Sequence, residues 1–151
     1  NTGDKAVLNA VLNDYDQETR HFFRWKVTYT TESLSALVRK RSGIDFGTIL
    51  DLEPLERGVS GRIVRLKVTG SKRTMEIGKE LVIRKFFSES HLYSSAFVVE
   101  KENGGFTFYG AGWGHGVGLC QIGAAVMASQ GYTYRRILAH YFKNSRIEKI
   151  Y

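Results

Sequence analysis

The chain has 151 residues, which suits one domain that buries about 70% of the surface exposed by its unfolded form. With 42% hydrophobic and 25% charged residues, it is neither disordered nor fibrous in composition, and no apolar run reaches the length of a transmembrane helix. The net charge of +7 favours anionic partners, and the single cysteine, Cys120, excludes an intrachain disulfide and a cysteine-rich zinc site.

The first predicted elements lie on either side of residue 20. Residues 1–20 are locally acidic and carry apolar residues at helical spacing, which predicts a short helical lead-in or linker. Residues 21–30 are rich in aromatic and β-branched side chains and predict a strand. The domain proper is therefore expected to run from residue 21 to residue 151.

A capped helix and an apolar segment follow this strand. Thr31 or Ser33 can cap a helix that runs through Arg41, and the glycine at position 43 is a typical helix stop. The apolar residues 44–55 are ambiguous, but Pro54 places the end of that segment at a sheet edge or outside the sheet.

Two hairpins are predicted in the middle of the chain. The first joins the alternating residues 63–68 to residues 74–77, and the second joins residues 96–99 to residues 106–109 through an Asn-Gly-Gly turn. Residues 79–87 between them predict a short helix.

The C-terminal part predicts two helices and a last strand. The helices cover residues 121–130, with Gly131 as the stop, and the residues after the Thr133 cap through 142. Residues 146–151 are expected to form a terminal strand. The fold class is α+β, mainly antiparallel strands and hairpins with short helices, and a glycine-rich segment precedes the two C-terminal helices.

The most informative segment covers residues 110–118, where every second residue is glycine. In an extended chain these glycines would all lie on one face and leave bare backbone for a ligand or another chain to approach. The spacing does not fit the dinucleotide fingerprint G-x-G-x-x-G, and the phosphate loop that ends in Gly-Lys-Ser/Thr is absent. Both nucleotide motifs are therefore excluded.

Trp113 and His115 lie within this glycine segment and are candidates for sugar contact. An indole can stack on a sugar ring, and an imidazole can donate, accept or shuttle a proton. The alternative is a buried tryptophan and a histidine bonded to a carbonyl. His115 and Cys120 are weak candidates for zinc, since two ligands without a third make a poor site, and small-residue packing suits Cys120 better. Gln121 can open the following helix.

Residues 112–124 resemble the signature Gly-x-Gly-(Trp/Tyr)-Gly-His-Gly-Val-Gly-(Met/Leu)-Ser-Gln-x-Gly-Ala of the stage II sporulation protein D and amidase-enhancer family. Cys120 stands where serine is commoner. Residues 127–142 resemble the family's closing helices, and the resemblance extends from about residue 21 to residue 151. Upstream matches are Trp25, Gly61-Arg62, Arg84 and the segment Ser94-Ser95-Ala96-Phe97. The resemblance to this family implies a substrate-binding surface. Its expected residues are Trp113, Gly114, His115, Gly116, Gly118, Gln121, Arg84 and Ser95.

The family acts on bacterial peptidoglycan, and its sporulation branch includes lytic transglycosylases. Such cleavage needs a carboxylic acid that protonates the glycosidic oxygen. The family's glutamate segment has no match here, so we expect the acid to lie outside this chain, and Glu53 and Glu56 are expected to have surface or edge roles. His115 and Gln121 are then candidates for supporting roles.

Three functions remain open at this stage, beside a purely structural interpretation in which the glycines are only a packing device. The chain is either one half of a split glycan-cleaving groove or a noncatalytic glycan-binding module that assists a cell-wall amidase. A nucleic-acid-binding basic domain is the less favoured third. The first two imply an extracytoplasmic location in the bacterial envelope and glycan strands as partners.

Overall fold

The computed structural model describes residues 23–102 and 104–150. In chain order, the elements are β1 (Arg24–Thr30), α1 (Thr31–Ser42), β2 (Ile49–Arg57), β3 (Ile63–Gly70), β4 (Thr74–Gly78), α2 (Glu80–Phe86), β5 (Phe97–Glu102), β6 (Gly105–Ala111), α3 (Gln121–Ser129) and α4 (Tyr134–Tyr141). This composition confirms the α+β class. The helical lead-in expected within residues 1–20 lies outside the described residues.

The strands form two antiparallel three-stranded sheets, in the orders β1-β6-β5 and β2-β3-β4. Both predicted hairpins are present, as β3 with β4 and β5 with β6. Pro54 lies in β2, an edge strand, next to an irregularity in the pairing with β3. The edge position predicted for this proline is confirmed, because an edge strand has one side on which no backbone N–H is needed.

One hydrophobic core joins the two sheets to α1 and α2. Apolar side chains of both sheets and both helices form a single buried cluster, whose largest fully buried members are Phe46, Phe87, Phe97, Phe106 and Phe108. Each such side chain stabilises the fold by about 1.5–3 kcal/mol relative to an exposed one. This core fixes the end of β6, from which the glycine segment leaves.

The structure corrects two of the predicted boundaries. Thr30, not Thr31 or Ser33, caps α1, and its hydroxyl accepts a hydrogen bond from the Ser33 N–H at 3.1 Å. The terminal strand is wrong over residues 146–150, which are exposed and form neither helix nor strand. The described strands leave this segment without a neighbour to pair with, and β-propensity alone does not hold a strand.

The helix caps of the C-terminal part agree with the sequence. Gln121 is the first residue of α3, and Gly131 follows that helix with a left-handed φ of 84°. Thr133 caps α4 and accepts a hydrogen bond from the Arg136 N–H at 3.4 Å.

Candidate functional site

The glycine segment is not the extended strand that its spacing suggested. Gly110 still belongs to β6, but Gly112, Gly114, Gly116 and Gly118 all have left-handed φ angles of 70–85°. An L-residue in that conformation costs about 1–2 kcal/mol, so the glycines are required by the backbone and not by a bare face. We call residues 112–118 the glycine loop.

Gly110 has a different role, because it lies opposite Trp25 in the β1–β6 register. A Cβ at this position would collide with the indole ring, which is buried over the strand. The same indole donates a hydrogen bond from Nε1 to the Gly112 carbonyl at 3.3 Å. Trp25 therefore packs against the end of β6 and forms a hydrogen bond with the first residue of the loop.

A buried serine segment connects the two sheets beneath the loop. The Ser94 hydroxyl donates a hydrogen bond to the Ala111 carbonyl at 2.7 Å. Ser95 donates to the Ile63 carbonyl at 3.0 Å, and the Ile63 N–H donates to the Ser95 carbonyl at the same distance. The start of β3 and the end of β6 are thereby fixed side by side. Ser95, a predicted substrate contact, is fully buried in this junction.

Arg62, the residue before β3, lies against the glycine loop. Its Nε donates to the Gly114 carbonyl at 2.8 Å, and its Nη2 donates to the Trp113 carbonyl at 3.2 Å. A Cβ on Gly116 would collide with the same guanidinium group. The loop is therefore wrapped around an arginine side chain, which a side chain at position 116 would displace.

Trp113 ends a row of aromatic rings that runs from the core to the surface. The residue is 53% exposed, and its ring lies 5.1 Å from the ring of Tyr93, centroid to centroid. Tyr93 lies 6.0 Å from Trp25, and the Tyr93 carbonyl accepts a hydrogen bond from the Gly114 N–H at 2.8 Å. Such tilted aromatic contacts contribute about 0.5–1.5 kcal/mol each beyond the area they bury. Trp113 is thus exposed but held in place, and it is not the buried tryptophan of the alternative interpretation.

His115 is exposed, and its Nδ1 accepts a hydrogen bond from the Val117 N–H at 3.0 Å. In the neutral ring the proton must then be on Nε2. The imidazole can donate one hydrogen bond outward from Nε2. The partner of Nδ1 is a backbone N–H and not a carbonyl, so this interaction is not the carbonyl hydrogen bond of the alternative interpretation.

The other predicted site residues lie in two places. Gln121 is exposed in the first turn of α3, directly after the loop. Arg84 is buried in α2, where its Nε donates to the Leu92 carbonyl at 2.6 Å and its Nη1 lies 3.4 Å from a carboxylate oxygen of Glu80. Arg84 therefore holds the chain one residue before Tyr93, beneath the site and not on its surface.

Cys120 caps α3, with its sulfur accepting a hydrogen bond from the Gly123 N–H at 3.4 Å. The other candidate zinc ligand, His115, uses its Nδ1 within the loop. Residues 23–102 and 104–150 contain no group of three or more His, Cys, Asp or Glu side chains placed to hold a metal ion.

Carboxylates are absent from the sequence of this region, since no aspartate or glutamate occurs from residue 103 to residue 147. Glu53 and Glu56 lie on the edge strand β2, where they pair with Lys67 at 3.0 Å and with Arg65 at 3.5 Å. These are the surface and edge roles expected from the sequence.

Sequence reasoning missed Arg62 and Tyr93 as site residues. In the sequence, Gly61-Arg62 is only a match upstream of a strand, and Tyr93 belongs to no recognisable pattern. Both reach the loop through contacts between distant parts of the chain, and Arg62 lies 52 residues before the carbonyl it binds most closely.

Among the described helices, none is long and apolar enough to cross a membrane.

Comparison with known proteins gives three similarities. A family model described as Domain of unknown function (DUF8618) matches residues 1–118. The chain is 36% identical over 72 residues to stage II sporulation protein D of Bacillus amyloliquefaciens, which covers 48% of this chain and 21% of that protein. It is 35% identical over 57 residues to the amidase enhancer of Bacillus subtilis (strain 168), which covers 37% of this chain and 8% of that protein.

The chain thus spans about a fifth of the length of the first relative and less than a tenth of the second. The similarities nevertheless confirm the resemblance drawn from residues 112–124. Because the family model covers well over half of the residues, the chain belongs to the family described as Domain of unknown function (DUF8618), and over part of its length it is related to stage II sporulation protein D and the amidase enhancer.

Proposed function

We propose that the glycine loop and its aromatic support form a surface that binds the glycan strands of peptidoglycan, outside the cytoplasm in the bacterial envelope. The observation that carries the proposal is Trp113, a half-exposed indole supported from behind by Tyr93 on a loop held by hydrogen bonds. A rigid exposed ring suits a sugar face, because little conformational entropy is lost when the ring is covered. The names of the two relatives support a wall-associated role.

His115 has the chemistry of a binding group more than that of a proton shuttle. Its Nε2–H can donate to a glycan hydroxyl or acetamido oxygen. To act as an acid from a doubly protonated ring, His115 would need a proton on Nδ1, which would break the hydrogen bond from Val117. Because Nδ1 is occupied by the Val117 N–H, Nε2 is the ring nitrogen available to a ligand.

Cleavage of a glycosidic bond would require a carboxylic acid from elsewhere. The region of residues 103–147 contains no carboxylate, and Glu53 and Glu56 are ion-paired on an edge strand. We propose that this chain supplies one wall of a split groove, and that any general acid lies outside it.

The test combines binding with product analysis. Denuded glycan strands, from which stem peptides have been removed, are titrated into the chain while loop amides are followed by NMR, and the products are examined by mass spectrometry. We expect shifts at residues 112–118 and no anhydromuramyl products. Anhydromuramyl products from this chain alone would overturn the claim that the acid is elsewhere, and Glu53 and Glu56 would be mutated first.

Trp113→Ala and Tyr134→Ala make a matched pair for the binding claim. Both residues are more than half exposed, at 53% and 61%, but Tyr134 lies on α4. Covering roughly 100 Å² of indole at about 25 cal/mol per Å² sets an upper limit of about 2.5 kcal/mol. We expect a loss of affinity of at least about fivefold for Trp113→Ala and none for Tyr134→Ala. Equal losses would remove the special role of Trp113.

A nucleic-acid-binding surface would give a different salt dependence. Contacts with phosphates release counterions, so such binding weakens steeply as salt is raised from 50 to 200 mM. Glycan binding through stacking and neutral hydrogen bonds should change little over this range. Tight, salt-sensitive binding of a DNA or RNA oligonucleotide together with no glycan binding would favour the nucleic-acid function.

A second candidate is a noncatalytic module that assists a cell-wall amidase. The carboxylate-free region favours it, and one relative is named an amidase enhancer. The test measures amidase release of stem peptides from purified sacculi with and without the chain. Stimulation that is lost in Trp113→Ala would support this role, whereas no stimulation would leave the split groove as the better proposal.

A further inference from the structure

We propose that Arg62 is the positioning residue of the glycan-binding loop, acting through His115 and the loop backbone. The inference rests on the proposed function of the loop, and it goes beyond it by naming the group that sets the loop's conformation. Arg62 would touch no substrate in this role.

The backbone of Arg62 is anchored at the start of β3. It precedes Ile63, whose backbone N–H and carbonyl are both bonded to Ser95 at 3.0 Å. The Arg62 carbonyl accepts a hydrogen bond from the Gly58 N–H at 2.8 Å, which closes the turn before β3. The base of the side chain is therefore fixed by the sheet and not by the loop.

The side chain of Arg62 makes several contacts with the glycine loop. The guanidinium donates to the carbonyls of Trp113 and Gly114, two consecutive peptide units that flank the left-handed Gly114. Hydrogen bonds from a charged donor contribute about 1.5–3 kcal/mol each. A third bond, from Nη1 to the Ser60 carbonyl at 3.3 Å, orients the planar group. A planar group with several donors suits this geometry, which a lysine cannot reproduce.

The contact between Arg62 and Gly114 also connects Arg62 to His115. The carbonyl of Gly114 belongs to the peptide bond that also contains the His115 N–H, so the Arg62 bond fixes the plane from which His115 starts. Gly116 then lies directly against the guanidinium. His115 lies between Gly114 and Gly116, which both lie against Arg62. Its Nδ1 accepts a hydrogen bond from the N–H of Val117, the residue after Gly116. Arg62 thereby sets the direction in which Nε2–H is presented.

Arg62→Ala, Arg62→Lys and Arg65→Ala provide the test. Arg65 lies on β3, three residues after Arg62, is exposed, and pairs with Glu56 and Glu76, so it controls for the loss of one positive charge. The direct readouts are the ¹⁵N signals of His115, which report which ring nitrogen carries the proton, and the hydrogen-exchange rate of the Val117 amide. Affinity for denuded glycan strands is measured separately.

We expect both Arg62 variants to lose the Nδ1-acceptor signature of His115 and to exchange the Val117 amide at least tenfold faster, while Arg65→Ala matches the wild type. Millimolar guanidinium should partly restore both signals in Arg62→Ala. Unchanged His115 and Val117 signals in a folded Arg62 variant would overturn the proposal. If Arg62→Ala does not fold, Arg62→Lys, which keeps the charge and the aliphatic stem, gives the decision.

Failure of the proposed function is distinguishable from failure of this inference. If the wild-type chain binds no glycan but the His115 and Val117 signals change in the Arg62 variants, the positioning role stands and the glycan proposal fails. If glycan binds and those signals are insensitive to Arg62, the positioning role fails alone.

Discussion

Gly116 and Gly118 allow a test of the loop structure, since both have left-handed φ angles, of 72° and 85°, but different surroundings. A Cβ on Gly118 would meet nothing within 4 Å, whereas one on Gly116 would collide with the Arg62 guanidinium. Substitution by alanine strains the backbone at both sites by about 1–2 kcal/mol, offset in part by about 0.4–1 kcal/mol from a less flexible unfolded chain.

Only Gly116→Ala adds the displacement of Arg62. The hydrogen bonds of Arg62 to two loop carbonyls each contribute about 1.5–3 kcal/mol to stability. Because the Arg62 side chain is half-buried, hydrogen bonds to water would compensate for part of that contribution when it is displaced. We therefore expect the free energy of unfolding of Gly116→Ala to fall by about 2 kcal/mol more than that of Gly118→Ala. With a urea m-value of about 2 kcal/mol per M, the unfolding midpoint of Gly116→Ala should lie about 1 M below that of Gly118→Ala.

The assay is urea denaturation of both variants and the wild type, followed by tryptophan fluorescence and by far-UV circular dichroism. Coincident transitions by the two probes would support two-state analysis. Equal midpoints for the two variants, or a lower midpoint for Gly118→Ala, would refute the contact between the loop and Arg62 as described.

Three further predictions concern the cap, the acid dependence of stability and the end of β6. Cys120→Ser should stabilise the chain by about 0.5–1 kcal/mol in urea denaturation, because a hydroxyl is a stronger helix cap than a thiol; destabilisation would mean that packing of the sulfur matters more. The hydrogen bond from Lys72 holds the pKa of the Asp45 carboxyl below its usual value, so its stabilisation is present above the unfolded pKa of about 3.9 and is lost as pH falls through the folded pKa. Asp45→Asn should therefore lower Tm at pH 7 but match the wild type near pH 2, and a constant difference at both pH values would contradict this. Gly110→Ala should cost about 1–3 kcal/mol in urea denaturation, because its Cβ would overlap the ring of Trp25, and a neutral result would mean that the indole can move aside.

Local pattern predicted most of the fold because its determinants are short-range. Alternation and turn glycines located both hairpins, and a threonine and a glycine marked the ends of α4 and α1. The terminal strand failed for the opposite reason, since a strand exists only where another strand is available to pair with it. Residues 146–150 have β-propensity but no neighbouring strand among the described elements.

The glycine loop shows how far composition leads. Five glycines at alternate positions identified the segment as unusual, but the sign of φ is set by contacts that the pattern does not contain. A side chain at position 110 would collide with Trp25, 85 residues away, and one at position 116 would collide with Arg62, the residue before β3. Reasons of this kind require the sheet topology.

The two buried predicted residues, Arg84 and Ser95, show how a sequence match can point to a site without lying in it. Arg84 holds Leu92, Ser95 holds Ile63, and these two backbone positions place Tyr93 and Arg62 against the loop. Their substitution should therefore disturb the site only together with stability.

The functional groups of the glycine loop bear on the kind of partner that the proposed glycan-binding surface would require. The loop presents an indole, an imidazole N–H and a positively charged arginine beneath its backbone, but the surrounding sequence from residue 103 to residue 147 supplies no carboxylate. Under the proposed function, this surface holds a neutral or anionic glycan and orients its hydroxyls, and the acid that protonates a glycosidic oxygen comes from outside the chain. Under the proposed split groove, an acid supplied from outside the chain would have to be protonated near pH 7, where an unperturbed carboxyl group is ionised. A catalytic partner would therefore need to bury its carboxyl group to keep it protonated, whereas an amidase partner would need only the bound strand.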